Sequence, residues 1–584
     1  MSAERNTWGT GYGSDDASAT PLAIDDYDPA SYRRSSEEEV KQGWLIRPDR
    51  ETRQRKKRSS YVNCLMIKSL LISLVVGGLV VLIVMLATRR RHHHPGPGPD
   101  NYTVALHRAL RFFDAQQSGR LPAQNNVSWR GDSCLKDEIV GGFYDGGSAI
   151  KFNFPGSFAM TLLSWSVIEY SAKYNAIGEL GHVKGIIKWG SDYLLKSFKS
   201  SNGTISSVAT QVGGEHDESC WMRPEDIDSD GNYPRRATWC TDCPALSAEM
   251  AAALSAASIV FKDDEKYSKK LVHGADMLFK FATKGQGANY DGGRDLPSKK
   301  YNSTGYWDEF VWGGAWLYYA TGNSSYLQFV TTPSLVNNDP IFSGGAKGGV
   351  FGWDTKHAGA HLLLSRVRIY LSYGYPYEGM LRTYQKRIEE IICSYQPRSF
   401  RYGRIKGGLI DINRARPNSL QYVVNAAFMT TLYSDYLEGR LVPGLVCGPI
   451  FYSNDVLRDF ARTQINYILG NNHRNRSYVV GFGNQFPQHV HHRGASIPDS
   501  KIKYGCKGGL KWRDSRKKDP NTIVGAMVAG PGKRGYFRDY RADYNYTEPT
   551  IAGNAGLVAA LVALSGGNAS TFDKNTIFSA VPPL

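Results

Sequence analysis

Leu246-Ser-Ala-Glu-Met-Ala-Ala-Ala-Leu-Ser-Ala-Ala-Ser-Ile-Val-Phe261 sets Leu246, Met250, Leu254, Ala257 and Phe261 at helical intervals. A period near 3.6 residues puts them on one helix face. Ile187, Gly190, Leu194 and Phe198 share that spacing, and 158–174, 267–283, 358–373, 377–395, 419–437, 454–469 and 553–565 also read as helical. Long segments rich in Gly, Pro, Asn and Asp separate them, such as 211–243 and 476–535. No convincing alternating strand series and no short fixed repeat is visible. The expectation is an all-α domain with functional loops gathered at one end, for which helix-pair toroids are one solution.

Upstream of this domain the composition changes. Residues 1–40 are rich in Ser, Asp, Glu, Gly and Tyr with few aliphatics, which predicts disorder. Arg47, Arg50, Arg53, Arg55, Lys56, Lys57 and Arg58 follow as a basic cluster. Residues 69–88 carry no charge. At about 1.5 Å per residue they would cross a hydrocarbon core roughly 30 Å thick. The stretch lies too far from the N-terminus for a cleaved signal peptide and reads as a signal anchor. Residues 1–68 are then a cytoplasmic tail, 89–100 a linker and 101–584 the functional domain. Arg89, Arg90 and Arg91 flank the far side, but the larger upstream cluster favours a cytoplasmic N-terminus. The sequons at Asn101, Asn126, Asn202, Asn302, Asn323, Asn475, Asn545 and Asn568 all follow the span. They support a type II topology with a lumenal or extracellular domain, in the plasma membrane or in Golgi or endosomal membranes. Asn545 is the doubtful acceptor, because it sits in the aromatic loop discussed below.

The net charge is +16, of which residues 101–584 carry +13, spread thinly. That distribution suits attraction to an acidic matrix and lacks a nucleic-acid-binding signature. Seven cysteines follow the span: Cys134, Cys220, Cys240, Cys243, Cys393, Cys447 and Cys506. An odd number leaves one unpaired within the chain, and spacing does not give the connectivity. Cys240 and Cys243 form a lone CxxC, which reads as a local disulfide or two structural thiols rather than half a zinc site.

Four loops carry candidate chemistry. Asp539-Tyr-Arg-Ala-Asp-Tyr-Asn-Tyr-Thr-Glu548 sets two carboxylates nine positions apart in an aromatic segment ahead of a helix. Polysaccharide hydrolysis needs one carboxyl held protonated and another ionised; a solvated turn is the alternative. Gly141-Gly-Phe-Tyr-Asp-Gly-Gly-Ser148 is a glycine turn bearing Asp145. Cys220-Trp-Met-Arg-Pro-Glu-Asp226 reads equally as an ion-paired surface loop. His489-Val-His-His-Arg493 lacks further ligands at metal spacing, and its His and Arg suit sugar hydroxyls or the orientation of a carboxylate.

Longer motifs make a family resemblance specific. They include Val127-Ser-Trp-Arg-Gly-Asp-Ser133, Lys151-Phe-Asn-Phe-Pro155, Gly305-Tyr-Trp-Asp-Glu309 and Ser477-Tyr-Val-Val-Gly-Phe-Gly483. Val490-His-His-Arg-Gly-Ala-Ser-Ile-Pro498, Tyr544-Asn-Tyr-Thr-Glu-Pro-Thr550 and Ala552-Gly-Asn-Ala-Gly556 complete the set. From about Tyr102 onward the chain resembles plant membrane-anchored endo-1,4-β-glucanases of the Korrigan type, in glycoside hydrolase family nine. The resemblance implies an (α/α)6 barrel and inverting hydrolysis of β-1,4-glucan in cell-wall assembly or remodelling, without metal or organic cofactor. It also implies the cellulose synthase complex as a partner. Glu548 matches the general acid, and His491 and Asp539 match two further signature positions. Arg493 and Arg541 look like neighbours that bind substrate or orient carboxyls, and Trp221, Trp307 and Trp312 are candidate stacking surfaces.

The departures from the family pattern bear on mechanism. The family has Asp-Ala-Gly-Asp at 145–148, with the second Asp as general base, and this chain has Ser148 there. A hydroxyl has no carboxylate pKa, and general-base assistance contributes about 10²–10⁴ in rate. Glu218 stands where His is usual, Asp543 where Asn is usual and Gly532 where Asp is usual. Added negative charge near Glu548 would raise its pKa. Two readings stand: an endoglucanase in which Asp145 takes the base role, and a catalytically weak glucan-binding scaffold.

Overall fold

The computed structural model describes residues 68, 71–73, 75–78, 100–230, 235–285, 298–337, 348–371, 377–412, 419–566 and 572–582. Its long helices are α1 (Asn101–Gln116), α2 (Asn153–Ala176), α3 (Leu180–Leu194), α4 (Pro244–Val260), α5 (Glu265–Lys284) and α6 (Trp307–Thr321). They continue with α7 (His357–Tyr370), α8 (Glu378–Tyr395), α9 (Ser419–Gly439), α10 (Asn454–Ile468) and α11 (Ile551–Leu564). Two kinds alternate. In α4 and α11 every residue is buried, and α2, α6, α7 and α9 are buried nearly all round. In α5 and α10 only one face is buried: Leu271, Ala275 and Leu278 in the first, Leu457, Ala461 and Ile465 in the second. An all-round apolar helix requires protein on every side, whereas an amphipathic one covers a core with one face and meets water with the other.

The packing follows from that division. The six all-round helices pack in sequence, α2 on α4, α4 on α6, α6 on α7, α7 on α9 and α9 on α11, and α11 returns to α2. The ring is therefore closed. The amphipathic helices pack outside it, α1 on α11, α3 on α2, α5 on α4, α8 on α7 and α10 on α9. A short helix, Ser324–Val330, covers α6. This is an α/α barrel, in keeping with the helical expectation.

Strands are present that the sequence pattern did not reveal. β1 (Lys151–Phe152), β2 (Phe198–Ser201), β3 (Thr204–Val212) and β4 (Ala237–Cys240) form an antiparallel sheet in which β3 pairs with all three others. Helix α3 stops at Leu194, so Phe198 opens a strand instead of extending the helix. Gly403–Arg404 pairs with Ile410–Asp411, and Gly444–Cys447 pairs with Ile450–Ser453. These strands are short and find their partners by tertiary pairing, so they leave little alternating pattern. The sequence reading also lacks helices α1 and α6, although Asp100 caps α1 by accepting from the Thr103 amide at 2.7 Å.

Among the described residues three disulfides join Cys220 to Cys506, Cys240 to Cys243 and Cys393 to Cys447, and Cys134 is the unpaired thiol, buried. The tail expected at 1–68, apart from Lys68, and most of residues 69–88 lie outside the described residues. Within that stretch, 71–73 and 75–78 are helical with Leu71, Ile72, Val75 and Val76 exposed. Among the described residues no helix is long and apolar enough to cross a membrane.

Candidate active site

Two loops meet at one end of the ring, the first feeding α2 and the second feeding α11. The first carries Asp145-Gly-Gly-Ser148 and the second carries Glu548. Their junction allows no side chain. A Cβ on Gly147 would lie 1.8 Å from the His491 carbonyl oxygen, and one on Gly146 (φ +61°) would lie 2.6 Å from Glu548 Oε1. The bare backbone lets the Gly147 amide donate to Glu548 Oε1 at 3.0 Å. Gln116 at the end of α1 holds the same loop from behind, donating to the carbonyls of Tyr144 (3.1 Å) and Gly146 (2.8 Å).

Glu548 is half-buried. Desolvation raises its pKa, Lys300 opposes that rise most strongly, and Glu218 adds to it. Burial of this kind keeps a carboxyl protonated nearer neutral pH, which suits a proton donor. The charge expected from Glu218 acts in the expected direction, but the Lys300 ammonium pairs with Glu218 and offsets it. Lys300 had not been singled out in the sequence.

Asp145 is buried, and desolvation pushes its pKa up to about 6 against the hydrogen bonds it accepts. The Ile551 amide, first in α11, donates to Oδ1 at 3.1 Å, and the Tyr301 hydroxyl donates to Oδ2. Tyr301 is wedged between Phe152 and Trp353, with ring centroids 4.9 and 4.8 Å away. Ser148 donates to the Asp145 carbonyl at 3.2 Å and accepts from the Ile150 amide at 3.4 Å, so its hydroxyl closes the turn. It occupies the place of a base without supplying one.

His491 donates through Nδ1 to the Arg541 carbonyl at 2.7 Å, which leaves Nε2 as an acceptor. Burial, helped by Arg493, lowers its pKa to about 3, so the ring stays neutral. Trp221 meets it edge-to-face at 4.9 Å, and exposed Tyr544 packs on it at 5.9 Å. His492 turns inward and donates through Nε2 to Gln116 Oε1 at 2.8 Å. His489 donates to the Arg516 carbonyl at 3.0 Å, so the His-x-His pair is held by carbonyls.

The other expected residues are placed as follows. Asp539 accepts from the amides of Gln488 (3.0 Å) and His489 (3.0 Å) and faces Arg476 at 3.4 Å, which fixes the segment leading to His491. Burial would raise its pKa, but these partners with His489 hold it below the usual carboxylate range. The Arg493 guanidinium is committed to the carbonyls of Cys220 (2.7 Å), Gly147 (2.8 Å) and Glu218 (2.7 Å). The Arg541 guanidinium donates to Asp519 at 2.7 Å and to the carbonyls of Trp512, Ser515 and Lys517. Both arginines are buried frame elements rather than groove cations. Trp221 is likewise buried, donating to Ser496 Oγ at 2.9 Å beneath His491. Trp312 is fully buried among Trp165, Trp316 and Phe351 inside the ring, out of reach of a sugar. Trp307 is half-buried against Tyr306 and Phe310 at the start of α6.

The residues that sequence reasoning missed are Tyr301, Lys300, Trp353 and Tyr544. The first two lie in a segment with no helical or strand periodicity, and no local pattern marks them as partners of Asp145 and Glu218. Asn101, Asn126, Asn202, Asn302, Asn323 and Asn475 are exposed, and Asn568 lies outside the described residues.

Residues 102–561 match the profile of glycosyl hydrolase family 9. Endoglucanase 25 of Arabidopsis thaliana is 55% identical, with 96% of this chain and 94% of that protein covered. Endoglucanase 10 of Oryza sativa subsp. japonica is 51% identical, with 94% and 92% covered. Among solved structures, an endoglucanase from the termite Nasutitermes takasagoensis has a TM-score of 0.66 at 31% identity, covering 79% of this chain and 98% of that one. Endoglucanase CelQ from Clostridium thermocellum, complexed with cellotetraose, has a TM-score of 0.63 at 30% identity, covering 80% and 70%.

Proposed function

Because the chain belongs to glycosyl hydrolase family 9, we propose that its two loops cleave glucan with Glu548 as acid and Asp145 as the group that activates water. The chain is an endo-1,4-β-glucanase that hydrolyses β-1,4-glucosidic linkages. The observation that carries the assignment of roles is the Gly147–Glu548 contact, which brings a carboxyl with raised pKa against the loop that bears a second one. Glu548 gives its proton to the departing glycosidic oxygen. Asp145 takes a proton from water as the water's oxygen attacks the anomeric carbon from the opposite face, which inverts it. Its two oxygens each accept one hydrogen bond and each retain a free lone pair for that proton. His491 Nε2 accepts from a sugar hydroxyl, and Tyr544 offers an exposed ring for stacking. Asp539, Arg493 and Arg541 act by positioning, because their polar atoms are spent on the frame of the site.

A type II anchor at 69–88, with the barrel lumenal or extracellular, is part of the same proposal. Its support is the uncharged run, the upstream basic cluster and the exposure of six sequon asparagines beyond it. Plasma membrane, Golgi and endosomal membranes all fit that topology, and the cellulose synthase complex is the partner that the family resemblance implies.

The test is reducing-end release from carboxymethylcellulose by the full chain beside Glu548→Gln. Release that does not depend on Glu548 would overturn the role given to it.

A further inference from the structure

A cavity of about 920 Å³ lies between α1, α3 and the loop at 122–126, lined by none of the residues assigned above to cleavage. Its size falls within the roughly 300–1,000 Å³ of small-ligand clefts. A second cavity, about 400 Å³, adjoins it, with Arg111 and Asn126 lining both, and the two together are called the trough. Trp189 lines the first part and Trp129 the second.

The floor of the first part is a fixed polar network. His182 bridges Glu179 (2.7 Å) and Asp114 (3.0 Å), and His107 binds the other oxygen of Glu179. Burial would lower the His182 pKa, but those two carboxylates outweigh it and raise it to about 9, so the bridge is protonated at neutral pH. Asn125 donates to Gln117 Oε1 at 2.8 Å, and the Trp189 indole donates to the Gly142 carbonyl at 2.9 Å. Trp189 thus has its N–H committed and its ring half-exposed. Arg111 and Gln124 are exposed at the rim, and Arg111 has no ion pair among the described residues.

Carboxylates and cations are interleaved here, so neither an anionic nor a cationic ligand finds a field of one sign. Planar donors and acceptors beside an indole face match a neutral polyhydroxylated ligand: vicinal hydroxyls both donate and accept, and a sugar's C–H face packs on the ring. A volume of about 920 Å³ with an adjoining one of about 400 Å³ has room for several linked sugars. We propose that this trough is a second carbohydrate-binding site, holding a segment of β-1,4-glucan outside the catalytic groove. The choice of glucan rests on the function proposed above.

Calorimetric titration of the full chain carrying Glu548→Gln, in detergent, with cellotetraose tests this. Two binding events per chain are expected. Arg111→Ala with Gln124→Ala should weaken one of them at least tenfold and leave the other unchanged. A photoreactive cellotetraose should label peptides within 107–126 or 179–189. A single event insensitive to the double substitution, without such labelling, overturns the second site and leaves the glucanase reading standing; no binding at all overturns both. A second event that emerges only after Asn126→Gln would assign the trough to the chain's own glycan and also overturn the proposal.

Discussion

Replacing Tyr301 with Phe isolates one hydrogen bond at the proposed base. The ring is held between Phe152 and Trp353, and Phe keeps that packing while removing the hydroxyl that donates to Asp145 Oδ2. Burial sets the Asp145 pKa near 6, with the Tyr301 bond foremost among the groups that hold it down. The bond favours the ionised carboxylate, so its loss must raise the pKa. A hydrogen bond to a charged group contributes about 1.5–3 kcal/mol, which corresponds to about 1–2 pH units. The base must be ionised to work, so the acidic limb of the kcat/KM profile should move from near pH 6 toward pH 7–8. At pH 5.5 that shift costs roughly tenfold to a hundredfold in kcat/KM, shrinking as the pH rises. The assay is the pH profile of kcat/KM on carboxymethylcellulose for both proteins. An acidic limb that stays in place, or moves to lower pH, would refute Asp145 as the group titrating there.

Glu548→Gln keeps the shape and removes the proton donor, so kcat should fall about 10²–10⁴-fold, read as reducing ends. Ser148→Asp restores a carboxyl where the family pattern has its base; with Asp145 already activating water kcat should change little, and a gain of about 10²–10⁴-fold would show instead that the missing base limits the natural protein. Lys300→Met removes the cation that opposes the raised pKa of Glu548, so the alkaline limb of the profile should move to higher pH. Arg541→Ala strands buried Asp519 without its partner, a loss of about 3–5 kcal/mol for a broken buried pair; a lowered thermal midpoint checks it, and an unchanged one would show that the pair contributes little.

Much of this protein follows from local order in the chain. Apolar residues at helical spacing marked most of the barrel helices, because each must bury apolar surface, on one face or all round, whatever its neighbours are. The odd cysteine count foretold one unpaired thiol, and the motifs that include Glu548 carried the family. What local order could not supply was partnership. Tyr301 lies 156 residues from Asp145, and nothing near either announces the bond. Arg493 and Arg541 look like groove cations as residue types, yet buried carbonyls claim them, because an unsatisfied polar group away from water is costly. Trp312 looks like a sugar platform and is core, since the six-helix ring closes around it. Sequence determines which groups are available and which helices form. Ring closure, which brings segments hundreds of residues apart into contact, decides which groups remain free to act on substrate.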